Sequence, residues 1–541
     1  MVTNLSRSNV SSRRSASRLS LPSLGGSAAI IGIVSVMAFV VALLSGSTFF
    51  TNVGKVLAFE VLGAALVTFL LMNIRTEGLF RRFKENVAAG PNLLVLAIAV
   101  SAVLSFVFGS AGKWLTASEL ARVVICAAVY FGVLYNLRGR LTVMTDVILA
   151  VTAAVSVFGL VSVGDKGFDQ IDGISGSFGT HEALGSFLML MLPITAVMGI
   201  FNKKDEKRRV AALVVSLLVT VCLAFTQSRS GWISELVALG ALALLAARFQ
   251  PTVKMDKKQR LASAAPFLAF AGIAALMLAV SGSGADVVHR AATFGIGSTD
   301  ISIKERLMLW HAALSMIAAK PLFGWGLGSF PYLAAKYTTV AASGSYVAAH
   351  GVNLRNIAHN YYLQTAAETG LVGLGLYVSM IVTFFIVGVR ALGKLKDGTR
   401  KMVLMGVLAA MAGQVVDAIT SPSYNVVSVS LFQWLLMGIG MFAAGVPKQE
   451  EEVVEAAAPN IVSARTRIRS GMRGAAAMTA CLVAATMMIA TANSAVADTY
   501  ITVNHDRGVS DTDAWLIGIG AAAAGYFIGE DIAHNNDVHN H

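Results

Sequence analysis

From residue 28 to residue 45 the chain carries no charged side chain, and runs of this kind recur along most of its length. A helix needs about 20 apolar residues to cross the ~30 Å hydrocarbon core of a bilayer. Within lipid the backbone must satisfy its own hydrogen bonds, which leaves helices and closed barrels. Long apolar runs without strict alternation specify helices. Spans are predicted near 28–45, 53–74, 91–109, 118–136, 142–163, 183–201, 210–226, 231–247, 262–280, 371–389, 402–420 and 426–445, with weaker ones near 475–496 and 514–529. The expected fold class is all-α: a polytopic membrane protein with about 12 core transmembrane helices, 13 or 14 if the weaker spans count, and one large, partly helical outer loop. Composition agrees, because 13% of the 541 residues are charged, against about 25% in a soluble chain.

The net charge of +12 follows the membrane rather than a nucleic acid. With the N-terminus inside, thirty of the 42 Lys and Arg fall in inside segments such as "RTEGLFRRFKEN", "NKKDEKRR" and "RALGKLKDGTRK". That asymmetry is the positive-inside pattern. The bilayer is therefore the expected partner, and no nucleic acid is. Residues 1–27 form a basic, serine-rich tail, expected to be cytoplasmic and disordered. Residues 28–445 form the membrane domain, and 446–474 a charged cytoplasmic linker. Residues 475–541 hold the extra apolar segments and a polar tail with His534, His539 and His541, expected to be a disordered end rather than a metal site. Within that part, "MRGAAAMTACLVAATMMIATANSAVAD" has the pattern of a signal peptide. It is internal, so it is either a further span or a cleavable join, and the retained span is expected. Cys126, Cys222 and Cys481 lie in apolar runs without metal-ligand spacing and read as small buried hydrophobes.

Two outer loops are long, 162–185 and 281–370. Long loops on an otherwise minimal scaffold carry function. In the second, "SIKERLMLWHAALSMIAAKP" reads as a helix. Ser302 and Glu305 make a capping box, and Ile303, Leu307, Trp310, Leu314 and Ile317 an apolar stripe that ends before Pro321. Such a helix is expected on the membrane surface, with Arg306 near headgroup level. The glycine-rich "KPLFGWGLGSF" follows, bearing Trp325. The loop ends in "RNIAHNYYLQTAAETGLVGLG", which offers His359, Asn360, Tyr361, Tyr362 and Glu368 before Gly370 opens the next span. Separately, "FTQSRSGWISE" sets Arg229 at the outer membrane boundary. An arginine there needs an anionic partner or must snorkel to lipid phosphates. Its planar fork suits phosphate oxygens. Two arginines can neutralise a diphosphate, and a neutral histidine can take a proton from a hydroxyl. Arg229, Arg306 and His359 together fit group transfer from a lipid diphosphate to an alcohol, beside the plain alternatives of lipid snorkelling and a structural histidine.

The spacing H-N-x9-G at His359, Asn360 and Gly370 resembles the end of the large loop in bacterial O-antigen ligases and their polymerase relatives. "TQSRSGW" is similar to that family's short arginine loop. "RLMLWHAALSMIAAKPLFGWGLGSF" resembles its Arg-x3-Trp helix and glycine-rich turn. "SGSFGTHEALGSFLMLMLPI" resembles its G-T-F-x-x-x-N entry to a span, with Glu182 near the usual asparagine. The resemblance implies a GT-C type glycosyltransferase of the bacterial inner membrane with its active face periplasmic. It implies an undecaprenyl diphosphate-linked glycan as donor, a lipid A-core or glycan hydroxyl as acceptor, inversion, no metal and no cofactor. It further implies His359 as general base and Arg229 and Arg306 as the diphosphate-binding pair. Asn360, Trp310, Trp325 and Tyr362 are expected to position groups or contact sugars. Asp165, Asp169 and Asp172 could in principle hold a cation, but a solvated loop is the expectation. Ligase and polymerase share donor chemistry and differ in acceptor. A flippase or transporter would instead place ionisable groups at mid-membrane and show half-by-half repeats. Only Glu60, Glu235 and Asp417 fall near mid-span, and no repeat is visible.

Overall fold

The computed structural model describes residues 26–44, 48–76, 79–109, 113–166, 173–202, 205–249, 301–337, 357–421 and 425–446, together with residue 272. Among these there are fourteen α-helices and one short 3₁₀ turn. In chain order they are α1 (Gly26–Leu43), α2 (Thr48–Thr76), α3 (Leu79–Asn86), α4 (Asn92–Phe108), α5 (Lys113–Asn136), α6 (Leu141–Lys166), the turn Gly176–Phe178, α7 (His181–Phe201), α8 (Glu206–Phe225) and α9 (Arg229–Phe249). Then follow α10 (Ile301–Ala319), α11 (Phe330–Tyr337), α12 (Tyr361–Leu392), α13 (Gly398–Asp417) and α14 (Val427–Ala444). Ten of the helices are long and apolar enough to cross a membrane, and α4 is a shorter apolar helix. The chain is therefore a polytopic helical membrane protein. Eleven of the twelve expected core spans coincide with these helices. The span near 262–280, the N-terminal tail, the linker 446–474 and the segments of 475–541 lie outside the described residues.

Helix α7 is the axis of the bundle, with every residue from Ala183 to Gly199 buried. Helices α8, α9 and α13 surround it, and α14 packs on α5. Lipid tails are as apolar as leucine, so close packing rather than a hydrophobic drive holds such helices together. Gly413 on α13 shows how close the approach is. A Cβ there would stand 2.7 Å from the Met189 sulfur, 2.7 Å from the Ser234 carbonyl oxygen and 2.9 Å from the Ala238 Cβ. Several helix starts are closed by short polar side chains that accept otherwise orphaned N–H groups. Thr180 accepts from Ala183, Asp205 from Arg208 and Asp397 from Thr399. Cys126 and Cys222 are buried, as expected of small apolar side chains.

The capping box expected at Ser302 rests on a side chain that lies outside the described residues. The buried face of α10 is Leu309, Ala312, Ala313 and Met316, which form a second small core with Phe330, Ala334, Ala358 and Ala367. Leu307 and Leu314 are 42% and 56% exposed. The pair of alanines lets α10 seat closely against α11 and α12, and Leu307 and Leu314, part of the stripe expected to face the membrane, point outward. Asp417 differs from expectation, because it ends α13 rather than lying at mid-span.

Valine at Gly413 would overpack the crossing of α13 with α7 and α9, at a cost of about 1–3 kcal/mol. Gly240 has open space where a Cβ would go. Gly413→Val should therefore lower the thermal midpoint measured in detergent micelles, while Gly240→Ala leaves it unchanged or raised. Equal midpoints for the two variants would contradict this packing.

Candidate active site

The site lies at the end of the bundle where α7 and α9 begin and α8 and α13 finish, called the outer end here after the charge-based topology. Its foundation is a break in α12. Gly370 has φ 72° and ψ −178°, a conformation essentially confined to glycine. The break removes the helical bonds from Leu371 and Val372 back to Ala367 and Glu368, and the glycine-rich segment replaces them. Leu371 donates its N–H to the Pro321 carbonyl at 2.7 Å and Val372 to Leu322 at 3.2 Å. The vacated carbonyls of Ala367 and Glu368 accept from Trp325 N–H at 3.1 Å and Gly326 N–H at 2.8 Å. A Cβ on Gly370 would lie 2.1 Å from the Leu322 oxygen. The backbone account thus closes only with glycine there.

Glu368, whose purpose the sequence left open, holds the same turn. Its buried carboxylate accepts from Gly328 N–H at 2.9 Å, Phe330 N–H at 3.3 Å and the Gln364 amide at 3.1 Å. Trp325 donates its indole N–H to Met316 at 3.0 Å, with Lys320 above its ring at 3.9 Å. Tyr362 donates its hydroxyl to Val415 at 2.8 Å, and Tyr361 packs edge-on to Tyr377. These contacts tie α12 to α13 and to the loop.

His359 stands just before α12 with φ 48°. Histidine is among the residues that tolerate this left-handed region, which still fixes where its ring points. Both neighbours are gripped. The preceding residue, Ala358, accepts the Trp310 indole N–H at 3.0 Å and donates its own N–H to Gln364 at 3.2 Å. The following residue, Asn360, caps α12 by accepting from Leu363 N–H at 3.0 Å. Trp310 and Asn360 therefore flank the histidine as props.

The ring of His359 meets a residue that sequence reasoning underrated. Glu182, in the first turn of α7, accepts from Arg306 Nη2 at 2.7 Å through Oε1. Its other oxygen lies 3.9 Å from His359 Nδ1. All three side chains are largely enclosed, at 19%, 28% and 15% exposure for Glu182, Arg306 and His359. Burial lowers the His359 pKa from the ordinary 6.5, Glu182 pushes it back up and Arg306 pushes it down. The net direction is downward, so the imidazole is neutral at pH 7 and able to accept a proton. The available signal for Glu182 was an acid at the outer start of a span, beside the Thr180 cap.

Arg229 opens α9 on the adjoining turn. Ser228 accepts from Gly231 N–H at 3.2 Å, Thr226 accepts from Ser228 N–H at 3.3 Å, and the Trp232 indole donates to Leu223 at 3.0 Å. Gly185, less than one helical turn past Glu182, lies against Ser228, where a Cβ would be 2.8 Å from the serine Cβ. The structure thus joins Arg306, Glu182 and His359 in one cluster and sets the Arg229 turn against the same end of α7. Among the described residues no group of His, Cys, Asp and Glu could hold a metal. Asp169 and Asp172 lie outside the described residues, as does the side chain of Asp165.

Fold and site together define a polytopic helical membrane protein with its polar cluster at one face. The family described as O-Antigen ligase matches residues 212–378, a segment that contains Arg229, Arg306, His359 and Gly370 but not Glu182. The chain is also 25% identical over 272 residues to the Exopolysaccharide production protein ExoQ of Rhizobium meliloti (strain 1021), over 50% of this chain and 59% of that relative. The match therefore spans less than two thirds of that relative's length. Over these segments the chain is similar to the O-antigen ligase family and to an exopolysaccharide production protein, in line with the resemblance its motifs carry.

Alanine at Gly370 would cost about 1–3 kcal/mol in backbone strain alone and would push Leu322 away. Gly370→Ala is expected to lower the thermal midpoint in micelles and to make the segment before α12 sensitive to limited proteolysis. Wild-type behaviour in both measurements would contradict the docking of the turn at Gly370.

Proposed function

We propose that this protein is a GT-C type glycosyltransferase of the bacterial inner membrane, acting at its periplasmic face. The donor is a glycan on undecaprenyl diphosphate, and the acceptor is a hydroxyl on lipid A-core or another surface glycan. The observation that carries this reading is the meeting of a neutral, enclosed His359 with Arg306 at the outer end, inside the segment that matches the O-Antigen ligase family. His359 takes the proton of the acceptor hydroxyl as its oxygen attacks the anomeric carbon. The bond from that carbon to the diphosphate oxygen breaks on the opposite face, so the configuration inverts. Charge gathers on the departing undecaprenyl diphosphate, where Arg306 and Arg229 meet it. Preorganised donors aimed at developing charge are the largest single source of catalysis in such transfers, and no metal step is needed in this account. Trp310 and Asn360 act by holding His359, and Trp325 and Tyr362 by holding the loop and α12.

A second reading is polymerisation, in which the acceptor is another lipid-linked repeat unit. The similarity to an exopolysaccharide production protein favours it. The two differ in what a gene deletion accumulates: full-length lipid-linked chains for a ligase, single lipid-linked units for a polymerase.

His359→Ala should reduce transfer by 10²-fold or more, the range of general-base catalysis, with normal membrane insertion. Arg229→Lys and Arg306→Lys should each lose most activity, because a point charge does not replace the bidentate fork. Transfer can be followed in proteoliposomes with lipid-linked glycan extracted from the source cells. Full activity of His359→Ala would refute the general-base role. The pH profile offers a further check: the acid limb of wild-type transfer should fall at a pH below the ordinary 6.5 of an imidazole.

A further inference from the structure

Glu182 lies outside the family-matched segment and stands near the position of the family's usual asparagine, so neither comparison assigns it a task. We propose that Glu182 is a positioning residue that couples the leaving-group arginine to the base, one carboxylate oxygen aiming Arg306 and the other selecting the tautomer of His359. The inference rests on the roles given above to those two residues.

The geometry divides the carboxylate cleanly. Oε1 receives Arg306 Nη2 at 2.7 Å, and Oε2 faces His359 Nδ1 at 3.9 Å. At 3.9 Å, beyond hydrogen-bonding distance, the carboxylate acts on Nδ1 through its charge, which favours the tautomer protonated there and leaves the lone pair on Nε2 to take the acceptor proton. Glu182 is well held for this task. Thr180 caps its helix at 3.2 Å, and α7 is buried from the next residue onward. Among the described residues, the charged groups acting on His359 are Glu182 from α7 and Arg306 from α10. Asp417, at the end of α13 beside the start of α12, is engaged by the Ser186 hydroxyl at 2.7 Å.

This arrangement pulls two measurable quantities in opposite directions. Glu182 offsets one positive charge, so its removal makes the site more attractive to a diphosphate. The same removal takes away the group that orients the base and raises its pKa. Glu182→Gln, close in shape, should bind undecaprenyl diphosphate several-fold more tightly by microscale thermophoresis in micelles. It should also lower kcat roughly 10–100-fold, the range known for losing the partner that orients a metal-bound histidine, and move the acid limb of transfer to lower pH. Glu182→Asp, which keeps the charge, should restore the acid limb at least in part and give an intermediate kcat.

Weaker diphosphate binding together with an unmoved acid limb in Glu182→Gln would mark a merely structural residue and overturn the proposal. An unchanged kcat would do the same. If Glu182→Gln accumulates poorly in membranes, Glu182→Asp decides: an acid limb no closer to wild type than that of the residual Glu182→Gln activity overturns it. His359→Ala in the same assay separates the two levels. An active His359→Ala defeats the base reading itself. An inactive His359→Ala beside a wild-type Glu182→Gln defeats only the role of Glu182.

Discussion

Four backbone hydrogen bonds across the break at Gly370 hold the outer site together. A helix interrupted inside a membrane protein leaves carbonyls and N–H groups that must find partners. Here the segment from Pro321 to Gly326 supplies all of those the break creates, by donating to Ala367 and Glu368 and accepting from Leu371 and Val372. The exchange anchors a long loop to a transmembrane helix through backbone alone. Glu368 then secures the far side of the turn through Gly328 and Phe330. Helix α10, attached to that turn, is thereby set against α12, and Arg306 and Trp310 come with it.

The cluster above this anchor is economical in charge. Arg306 is offset by Glu182, and His359 is neutral because burial outweighs the nearby carboxylate. In the proposed reading, such a site suits an anion that brings its own charge to the guanidinium groups as a bond breaks. The left-handed backbone at His359 belongs to the same logic. Strain of this kind persists where the surroundings over-determine it, and Trp310, Gln364 and Asn360 do so from both sides of the residue.

Much of the fold was legible because bilayer thickness converts directly into run length. Eleven expected spans coincide with helices, and the alternation of basic loops assigns Arg229, Arg306 and His359 to one face. The buried face of α10 was not legible. Its alanines seat against α11 and α12, a contact between distant segments that local spacing does not report, while Leu307 and Leu314 of the expected membrane-facing stripe point outward. Glu368 was hidden because its partners are backbone N–H groups forty residues away in sequence. Glu182 was visible as an acid at the outer start of a span and as a departure from a family pattern. Its meaning depends on Arg306, 124 positions later, and no local spacing reports such a contact.

The central claim is that Arg229, Arg306 and His359 frame one diphosphate-leaving site at the outer end of α7. A structure of the protein bound to undecaprenyl diphosphate in a lipid nanodisc tests it most directly. The account predicts diphosphate oxygens within hydrogen-bonding distance of the Arg229 and Arg306 guanidinium groups, with the His359 ring facing the terminal phosphate. A diphosphate seated elsewhere, with both arginines turned to other partners, would contradict it.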